Sequence, residues 1–422
     1  MRVLWITNLL FPEASNIIID SKDLKSSGGW MLGAADGLLK DDSVELFVAT
    51  VSPLVKVLTR IKGKRIQYYL IPYGKGNLVE NSEYNPFWQQ IKEEVEPDII
   101  HIHGTEYTHG YAYVQACGSK NVVVSIQGLK SACSFYYSYG ISNSDILFNL
   151  TLKDLIRGTI WKQKRRFKKS GEVEGKLLRS VHHVIGRTAW DHAQVWTINS
   201  NASYYTCNET LREEFYDGSI WSYDLCQKNE IFLSQASYPL KGLHQVIKAL
   251  PIIHKHCPGV KLRIAGPDII QNRGVRDCIS RSGYARYLRR LIRKLHLEDS
   301  IKFLGNLNAE EMKREYLRCN LFICPSSLEN SPNSLGEAQI LGTPCIASFV
   351  GGVPDMIQNS NEGLYRFEDI EMLAYKVCQM LKSQDSPNLQ LIDVAKNRHH
   401  PEINSKQLKS IYNIILKDES IK

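Results

Sequence analysis

Short, almost unbroken apolar runs recur along this chain, and they constrain its fold more than any other feature. They are Val3–Thr7, Glu45–Thr50, Ile66–Ile71, Asp98–His103, Val122–Ile126 and Val181–Gly186, then Glu230–Ser234, Lys261–Ala265, Ile301–Leu304, Leu321–Cys324 and Cys345–Ser348. A strand with one wet face alternates polar and apolar residues. These runs do not alternate, so they read as strands buried on both faces, as in parallel sheets covered by helices. Amphipathic segments separate them, among them Met31–Lys40, Leu243–His256, Glu310–Cys319 and Glu371–Lys382. Strand–helix alternation of this kind predicts a doubly wound α/β fold. Ligands of such sheets bind beyond the carboxyl ends of the strands, so the loops after the strands are where function is expected.

A chain of 422 residues is too long for one typical core. The β-rich pattern pauses over the polar and aromatic stretch Ser200–Lys228. This predicts a first domain over 1–226, a second over 227–400, and a terminal helix in 401–422 that packs back on the first. No segment supplies the roughly 20 apolar residues that span a bilayer. The opening MRVLWITNLLFPEAS is interrupted by Thr7 and Asn8 and reads as a first buried strand, not a leader. The expected location is cytoplasmic, at the inner face of a membrane where the basic region below engages lipid. The ten cysteines are scattered without CxxC pairs or zinc-like spacing and read as buried free thiols.

The net charge of +8 is concentrated in one place. Residues 153–179 hold ten Lys/Arg against Asp154, Glu172 and Glu174, a local excess of +7. Within LKDLIRGTIWKQKRRFKK (152–169), Leu155, Ile156, Ile160, Trp161 and Phe167 sit among the charges. Such a helix suits an anionic membrane surface, beside a lipid-linked glycan. A solvated basic helix over an apolar groove is the plainer alternative. No nucleic-acid-binding motif accompanies the charge, so nucleic acid is not expected as a partner.

The segment Leu321–Ile357 carries the most chemistry. A buried strand ends at Pro325, a polar loop follows, and a helix opens near Ser334–Glu337, with Glu329 in the loop and Glu337 placed in the first helical turn. Backbone N–H groups of Asn333, Ser334 and Leu335 at a helix start can face a diphosphate. Two carboxylates repel phosphate but accept hydrogen bonds from ribose and sugar hydroxyls, worth about 1.5–3 kcal/mol each. Alone, Glu337 also reads as a capping carboxylate. Lys241-Gly242 follows Glu230–Ser234 and precedes a helix. A lysine there meets a diphosphate as a point charge or stands as a solvated surface residue. Gly351-Gly352 allows close backbone approach.

Taken together these motifs resemble the family 4 retaining glycosyltransferases, which have the GT-B fold of two Rossmann-like domains facing across a cleft. Glu329 and Glu337 match the family's E-x7-E. Pro325-Ser326, Gly342-x-Pro344, Gly351-Gly352, YPLKG (238–242), VKLRIAG (260–266) and IKFLGNL (301–307) follow in the expected order. The resemblance is specific over 230–357 and weaker before it. It implies that Glu337 binds the donor ribose, Glu329 holds the donor sugar near its 3- and 4-hydroxyls, and Lys241 neutralises the departing diphosphate. It also implies that Gly28-Gly29, before the helix at Met31, lets backbone amides approach donor phosphate and sugar.

In the amino-terminal half, PDIIHIHGTEY (97–107) ends a strand at His103-Gly104, and NVVVSIQGLKS (121–131) ends another at Gln127-Gly128. His103 is a candidate sugar or acceptor contact, or a histidine satisfied within the fold. The family usually carries histidine where Gln127 stands, and an amide hydrogen-bonds but does not carry a proton as imidazole does. Arg187 is a candidate phosphate or acceptor contact, with a structural Arg187–Asp191 pair at i,i+4 spacing as its competitor. A second departure falls five residues before Lys241, where the family's arginine is Ala236. Gln235, Arg187 and Arg273 are its candidate substitutes.

The resemblance implies a metal-independent, cofactor-free transfer of a hexose from a nucleotide diphosphate sugar to a glycan or lipid-linked acceptor, with retention, in polysaccharide biosynthesis. No D-x-D motif is present. No residue stands out as a nucleophile, so the expected path is same-face attack, with the leaving phosphate oxygen taking the acceptor proton. Two alternatives stay open: a non-catalytic nucleotide-sugar-binding protein, and another GT-B enzyme such as an epimerase. A dinucleotide oxidoreductase is excluded, because no G-x-G-x-x-G follows a strand.

Overall fold

A computed structural model describes residues 1–19, 29–73, 84–270, 282–357, 363–383 and 386–421. Its two sheets contain β1 (Arg2–Thr7), β2 (Glu45–Ser52), β3 (Thr59–Lys62), β4 (Ile66–Pro72), β5 (Ile99–His103), β6 (Val122–Ser125), β7 (His183–Gly186) and β8 (Ser203–Thr206), then β9 (Gln227–Leu233), β10 (Lys261–Ile264), β11 (Ile301–Phe303), β12 (Cys319–Cys324), β13 (Cys345–Ser348) and β14 (Leu364–Tyr365). The first sheet runs β3-β4-β2-β1-β5-β6-β7-β8 and the second β11-β10-β9-β12-β13-β14. Every pairing is parallel except β3 with β4.

Each sheet starts at an inner strand, builds outward on one side, then crosses to build on the other. The reversal falls between β1 and β5 in the first sheet and between β9 and β12 in the second. At such a switch point adjacent strands send their following loops to opposite faces, which leaves a crevice at their carboxyl ends. The apolar runs predict these central strands correctly, because each is buried on both faces. Every residue of β5 and β12, for example, is buried. The short edge strands β3, β8 and β14 carry no such signature. Ser203–Thr206 lies inside the stretch expected to be a pause, and its half-exposed face explains why.

The chain divides into two compact units, one of residues 1–131, 169–212 and 398–422, the other of residues 132–168 and 213–397. The expected boundary near 226 falls within the second unit. The helix Pro401–Ile421 belongs to the first, where Leu408, Ile411, Tyr412 and Ile415 join a core with Trp5, Leu46 and Ile99. The Tyr412 hydroxyl accepts from Trp5 Nε1–H at 3.1 Å and lies 2.6 Å from His101 Nδ1. Burial holds the His101 pKa down to about 3. The neutral ring lies within hydrogen-bond reach of Tyr412 OH through Nδ1 and of Ser125 Oγ through Nε2.

The basic stretch 152–169 is not one helix. Gly158, at φ +105°, separates Leu152–Arg157 from Ile160–Ser180. Ile160 is buried, and Trp161 and Phe167 pack on the second unit's core, so three of the five apolar residues expected on a lipid-facing side point inward.

Tyr412→Phe removes the hydroxyl shared by Trp5 and His101 and leaves two buried partners unsatisfied. We expect a loss of about 1–3 kcal/mol, read as a lower urea midpoint for unfolding of the first unit.

Candidate donor and sugar site

In the second unit, β9 leads through Ser234–Tyr238 into the 3-10 turn Pro239–Lys241 and then the helix Leu243–His256. Proline at the turn's start pre-sets its φ, and Gly242 (φ +71°) supplies the left-handed residue that redirects the chain into the helix. From β12 the chain passes through Pro325 to the buried Ser326 and Ser327. Ser327 N–H donates to Leu240 O at 2.8 Å, which ties the two loops of the switch point together.

Lys241 Nζ donates to Glu329 Oε1 at 2.6 Å, and Ser326 Oγ donates to the same oxygen at 2.7 Å. Both side chains are largely buried. Burial pulls the Lys241 ammonium down, but the Glu329 carboxylate and the Tyr238 phenol outweigh it and hold its pKa above the usual lysine range. Its share of stability is therefore complete below the ordinary lysine value of 10.5 and is lost only as pH rises beyond it. An ammonium has three N–H donors, so the charge that faces Glu329 can also meet an anion.

Two glycines build this pair's surroundings. A Cβ on Gly242 would lie 1.8 Å from Pro325 O, and one on Gly351 (φ +51°) 1.9 Å from Glu329 O. Gly352 N–H donates to Glu329 O at 3.1 Å. The glycines read as sites of ligand approach therefore serve, at Gly242 and Gly351, to bring backbone against backbone around Glu329.

The helix Asn333–Ile340 has Pro332 as its N-cap, with no side-chain cap. Leu335 N–H donates to Pro332 O at 3.0 Å, so it is not one of the outward amides expected of it. Asn333 and Ser334 hold the positions whose N–H groups have no intrahelical acceptor, and Asn333 Oδ1 is buried with no hydrogen-bond partner among the described residues. Glu337 is the fifth residue of the helix, beyond the first turn expected for it, and it is buried. Its Oε2 accepts from Tyr316 OH at 3.3 Å, so it does not act as a first-turn cap.

Ala236 is buried in the second unit's core beside Leu243 and Val246, so the position of the family's arginine is filled by apolar packing. Gln235 beside it is exposed. Arg273 lies outside the described residues.

In the first unit, His103 closes β5 with its ring stacked on His101 at 3.8 Å and edge-on to Trp5 at 4.3 Å. Neither ring nitrogen has a hydrogen-bond partner among the described residues. Burial, with the neighbouring His101 and Arg187, holds its pKa well below the usual range, so the ring is neutral. Gln127 Nε2 is likewise buried and unpartnered among the described residues. Gly29 opens the helix Gly29–Leu38, while Gly28 lies outside the described residues.

Arg187 departs from its expected role. Its guanidinium pairs with Glu209 in a buried contact and donates to Ile126 O at 2.8 Å. Its charge is paired inside the unit, where it fixes the residue before Gln127. The i,i+4 side-chain pair with Asp191 does not form either. Asp191 accepts from Arg187 N–H at 3.0 Å and, with Thr188, makes the capping box of the helix Ala189–Ile198.

Residues 222–398 match the family Glycosyl transferases group 1. Glycogen synthase from Mycobacterium tuberculosis is 24% identical over 217 residues, which cover 46% of this chain and 47% of that protein. The match thus spans about half the length of that relative. Sucrose-phosphate synthase from Thermosynechococcus elongatus has a TM-score of 0.70 at 16% identity over 99% of both chains. Anabaena Alr3699/HepE, solved in complex with UDP-glucose, has a TM-score of 0.60 at 14% identity over 97% of this chain and 98% of that one. The fold is GT-B.

One acidic residue escaped the sequence reading. Glu106 lies three residues past His103, inside the quoted HGTEY. Burial, reinforced by Glu174, raises its pKa to about 7 against the pull of its own backbone N–H, Lys130 and Arg187. The signal was its place in a loop at a strand's carboxyl end. Among the described residues, no group of three or more His, Cys, Asp or Glu is arranged to hold a metal ion.

Gly242→Ala and Gly351→Ala each combine a left-handed backbone with a Cβ driven into a carbonyl. We expect each to cost about 2–5 kcal/mol, seen by calorimetry as a drop in the second unit's melting temperature. Gly305→Ala, at φ +79° with open space around its Cβ, should cost only about 1–2 kcal/mol.

Proposed function

We propose that this chain transfers a hexosyl group from a nucleotide diphosphate sugar to a glycan or lipid-linked acceptor, with retention and without a metal ion, in polysaccharide biosynthesis. The carrying observation is the Lys241–Glu329 contact at the switch point of the second sheet, inside the group 1 domain. In this reading Lys241 meets the diphosphate as it departs, together with the amides of Asn333 and Ser334. Glu329 and Glu337 accept hydrogen bonds from sugar and ribose hydroxyls. A preorganised charge in a water-poor site is worth several kcal/mol at a transition state. Same-face attack, with the leaving phosphate oxygen taking the acceptor proton, uses only groups already in place.

Lys241→Ala should cut donor turnover by two or more orders of magnitude and abolish the thermal shift produced by nucleoside diphosphates. UDP-glucose and GDP-mannose are the first donors to assay. A near-normal rate in the variant defeats the role of Lys241. The buried Ala236 favours a second reading, in which the chain binds nucleotide sugars without turning them over. A donor that shifts the melting temperature but is never hydrolysed or transferred decides for it.

An anionic membrane surface is the proposed setting of the acceptor. The helices Asn143–Phe148 and Leu152–Arg157 leave Leu147, Phe148, Leu152, Leu155 and Ile156 57%, 69%, 62%, 71% and 79% exposed. Exposed Lys162, Arg165, Arg166 and Lys168 follow in the next helix. Apolar side chains beside clustered cations suit lipid headgroups of negative charge, each cation adding about 1 kcal/mol near the surface. Among the described residues no helix is long and apolar enough to cross a membrane, so the association proposed is peripheral. The chain should pellet with phosphatidylglycerol vesicles at physiological salt and not with phosphatidylcholine vesicles. The double substitution L155E/I156E should release it, and wild-type chain left in the supernatant of both removes the proposal.

A further inference from the structure

At the switch point of the first sheet lie polar atoms to which no described residue hydrogen-bonds. His103 Nδ1 and Nε2, Glu106 Oε2 and Gln127 Nε2 are buried and have no hydrogen-bond partner among the described residues. Leaving polar atoms buried and unpaired costs about 1–3 kcal/mol each, and a fold retains several together where a ligand completes them. They sit at the ends of adjacent strands, His103 on β5 and Gln127 just past β6.

Two glycines let the carboxylate lie against the backbone. Gly104, at φ +90°, has no side chain where a Cβ would come 2.3 Å from Glu106 Oε2 and 3.5 Å from Gln127 Oε1. A Cβ on Gly128 would lie 3.7 Å from Glu106 Oε1. Glu106 and Gln127 therefore both lie close to Gly104, and both residues are only partly covered.

The surroundings are rigid. Glu174, on the helix Ile160–Ser180, accepts from Thr105 Oγ1 at 2.9 Å, from the N–H groups of Lys130 and Ser131 at 3.0 and 3.1 Å, and from Ser131 Oγ at 2.6 Å. Thr105 lies between the glycine and the glutamate in the chain, so this network pins the turn that carries Glu106. Arg187, committed to Glu209 and Ile126 O, pins the residue before Gln127.

We propose that Glu106, Gln127 and His103 form a sugar-hydroxyl site in the first unit, in which the ionised Glu106 carboxylate accepts the hydrogen bond of the attacking hydroxyl and orients it, the hydroxyl's single proton passing to the leaving phosphate oxygen as the new bond forms. The assignment rests on the glycosyl-transfer reading and adds the residue that handles the nucleophile. A hydroxyl both donates and accepts, and the set supplies both: Glu106 Oε2 as acceptor, Gln127 Nε2 as donor, and the neutral His103 ring with one of each. A phosphate would find no fitting partner in the carboxylate. The groups that face Glu106 are Glu174, which opposes its ionisation, and Lys130 and Arg187, which favour it; burial prevails and brings the pKa to about 7. The accepting form is thus half-populated near neutrality and complete above it.

The test uses the whole chain with UDP-glucose and GDP-mannose, and lets water stand in as the attacking hydroxyl. Wild-type hydrolysis should rise with pH through about 7. Glu106→Gln should flatten that rise and lower the pH 8 rate about 10- to 100-fold, the value of one charge-assisted hydrogen bond, with nucleotide-sugar affinity within twofold of wild type. An unchanged pH profile overturns the proposal. Stability supplies a readout that a merely structural carboxylate would move the other way. Because the folded-state pKa is raised, ionised Glu106 penalises folding increasingly from about pH 4.5 to about 7 and steadily above. Glu106→Gln should therefore melt a few degrees higher at pH 8 and unchanged at pH 4.5, and a lower melting temperature at pH 8 overturns the site. If the wild-type chain turns over neither donor, the transfer reading fails separately. The hydroxyl site is then decided by the 13C carboxyl signal of Glu106, which should shift when glucose is titrated in and overturns the site if it stays put.

Discussion

Parallel strands buried on both faces impose the geometry from which everything else follows. Such a strand cannot turn back directly into a parallel neighbour, so most are followed by a helix that covers the sheet, and the strand-to-helix loops gather at one edge. Where the strand order reverses, the helices leave in opposite directions and the loop backbone is left open. This occurs between β9 and β12 and again between β1 and β5. The Lys241–Glu329 contact stands at the first of these reversals, and His103 with Glu106 and Gln127 at the second.

The two sites use opposite electrostatics. Around Lys241 a buried cation is stabilised by a carboxylate at 2.6 Å, so its charge persists over the whole working range of pH. Around Glu106 a carboxyl sits near other carboxylate charge in a desolvated turn, so its ionisation falls close to neutrality. A permanent positive charge suits a leaving diphosphate. A carboxyl that ionises near neutrality suits a neutral hydroxyl that must be held and released. Both depend on backbone packing that glycine alone allows, at Gly242 and Gly351 in one unit and Gly104 in the other.

Arg187 and Ala236 show how a motif reading of side chains can mislead. Arg187 follows a strand and is cationic, which fits a phosphate contact on paper. In the fold Glu209, a loop residue more than twenty positions away, pairs with it. At Ala236, where the resemblance implies an arginine, the side chain is buried in the second unit's core. The basic segment teaches the same lesson. Its spacing suggested one amphipathic helix, yet Gly158 divides it, and Ile160, Trp161 and Phe167 turn toward the core while Leu147 and Phe148, from outside the segment, are exposed.

The sequence by itself determined the strand series, the parallel class and the loops that bear Lys241, Glu329, Glu337, His103 and Gln127, because burial on two faces and glycine-punctuated turns are local properties written in consecutive residues. It also carried the group 1 motifs, whose order along the chain needs no coordinates. Tertiary structure alone decided which charges survive as charges. Ion pairing and desolvation depend on partners tens to hundreds of residues away, as in Lys241 with Glu329, Arg187 with Glu209 and Trp5 with Tyr412. The raised pKa of Glu106 belongs to the same class, since a carboxyl's surroundings are set by the folded chain and leave no pattern in the residues beside it.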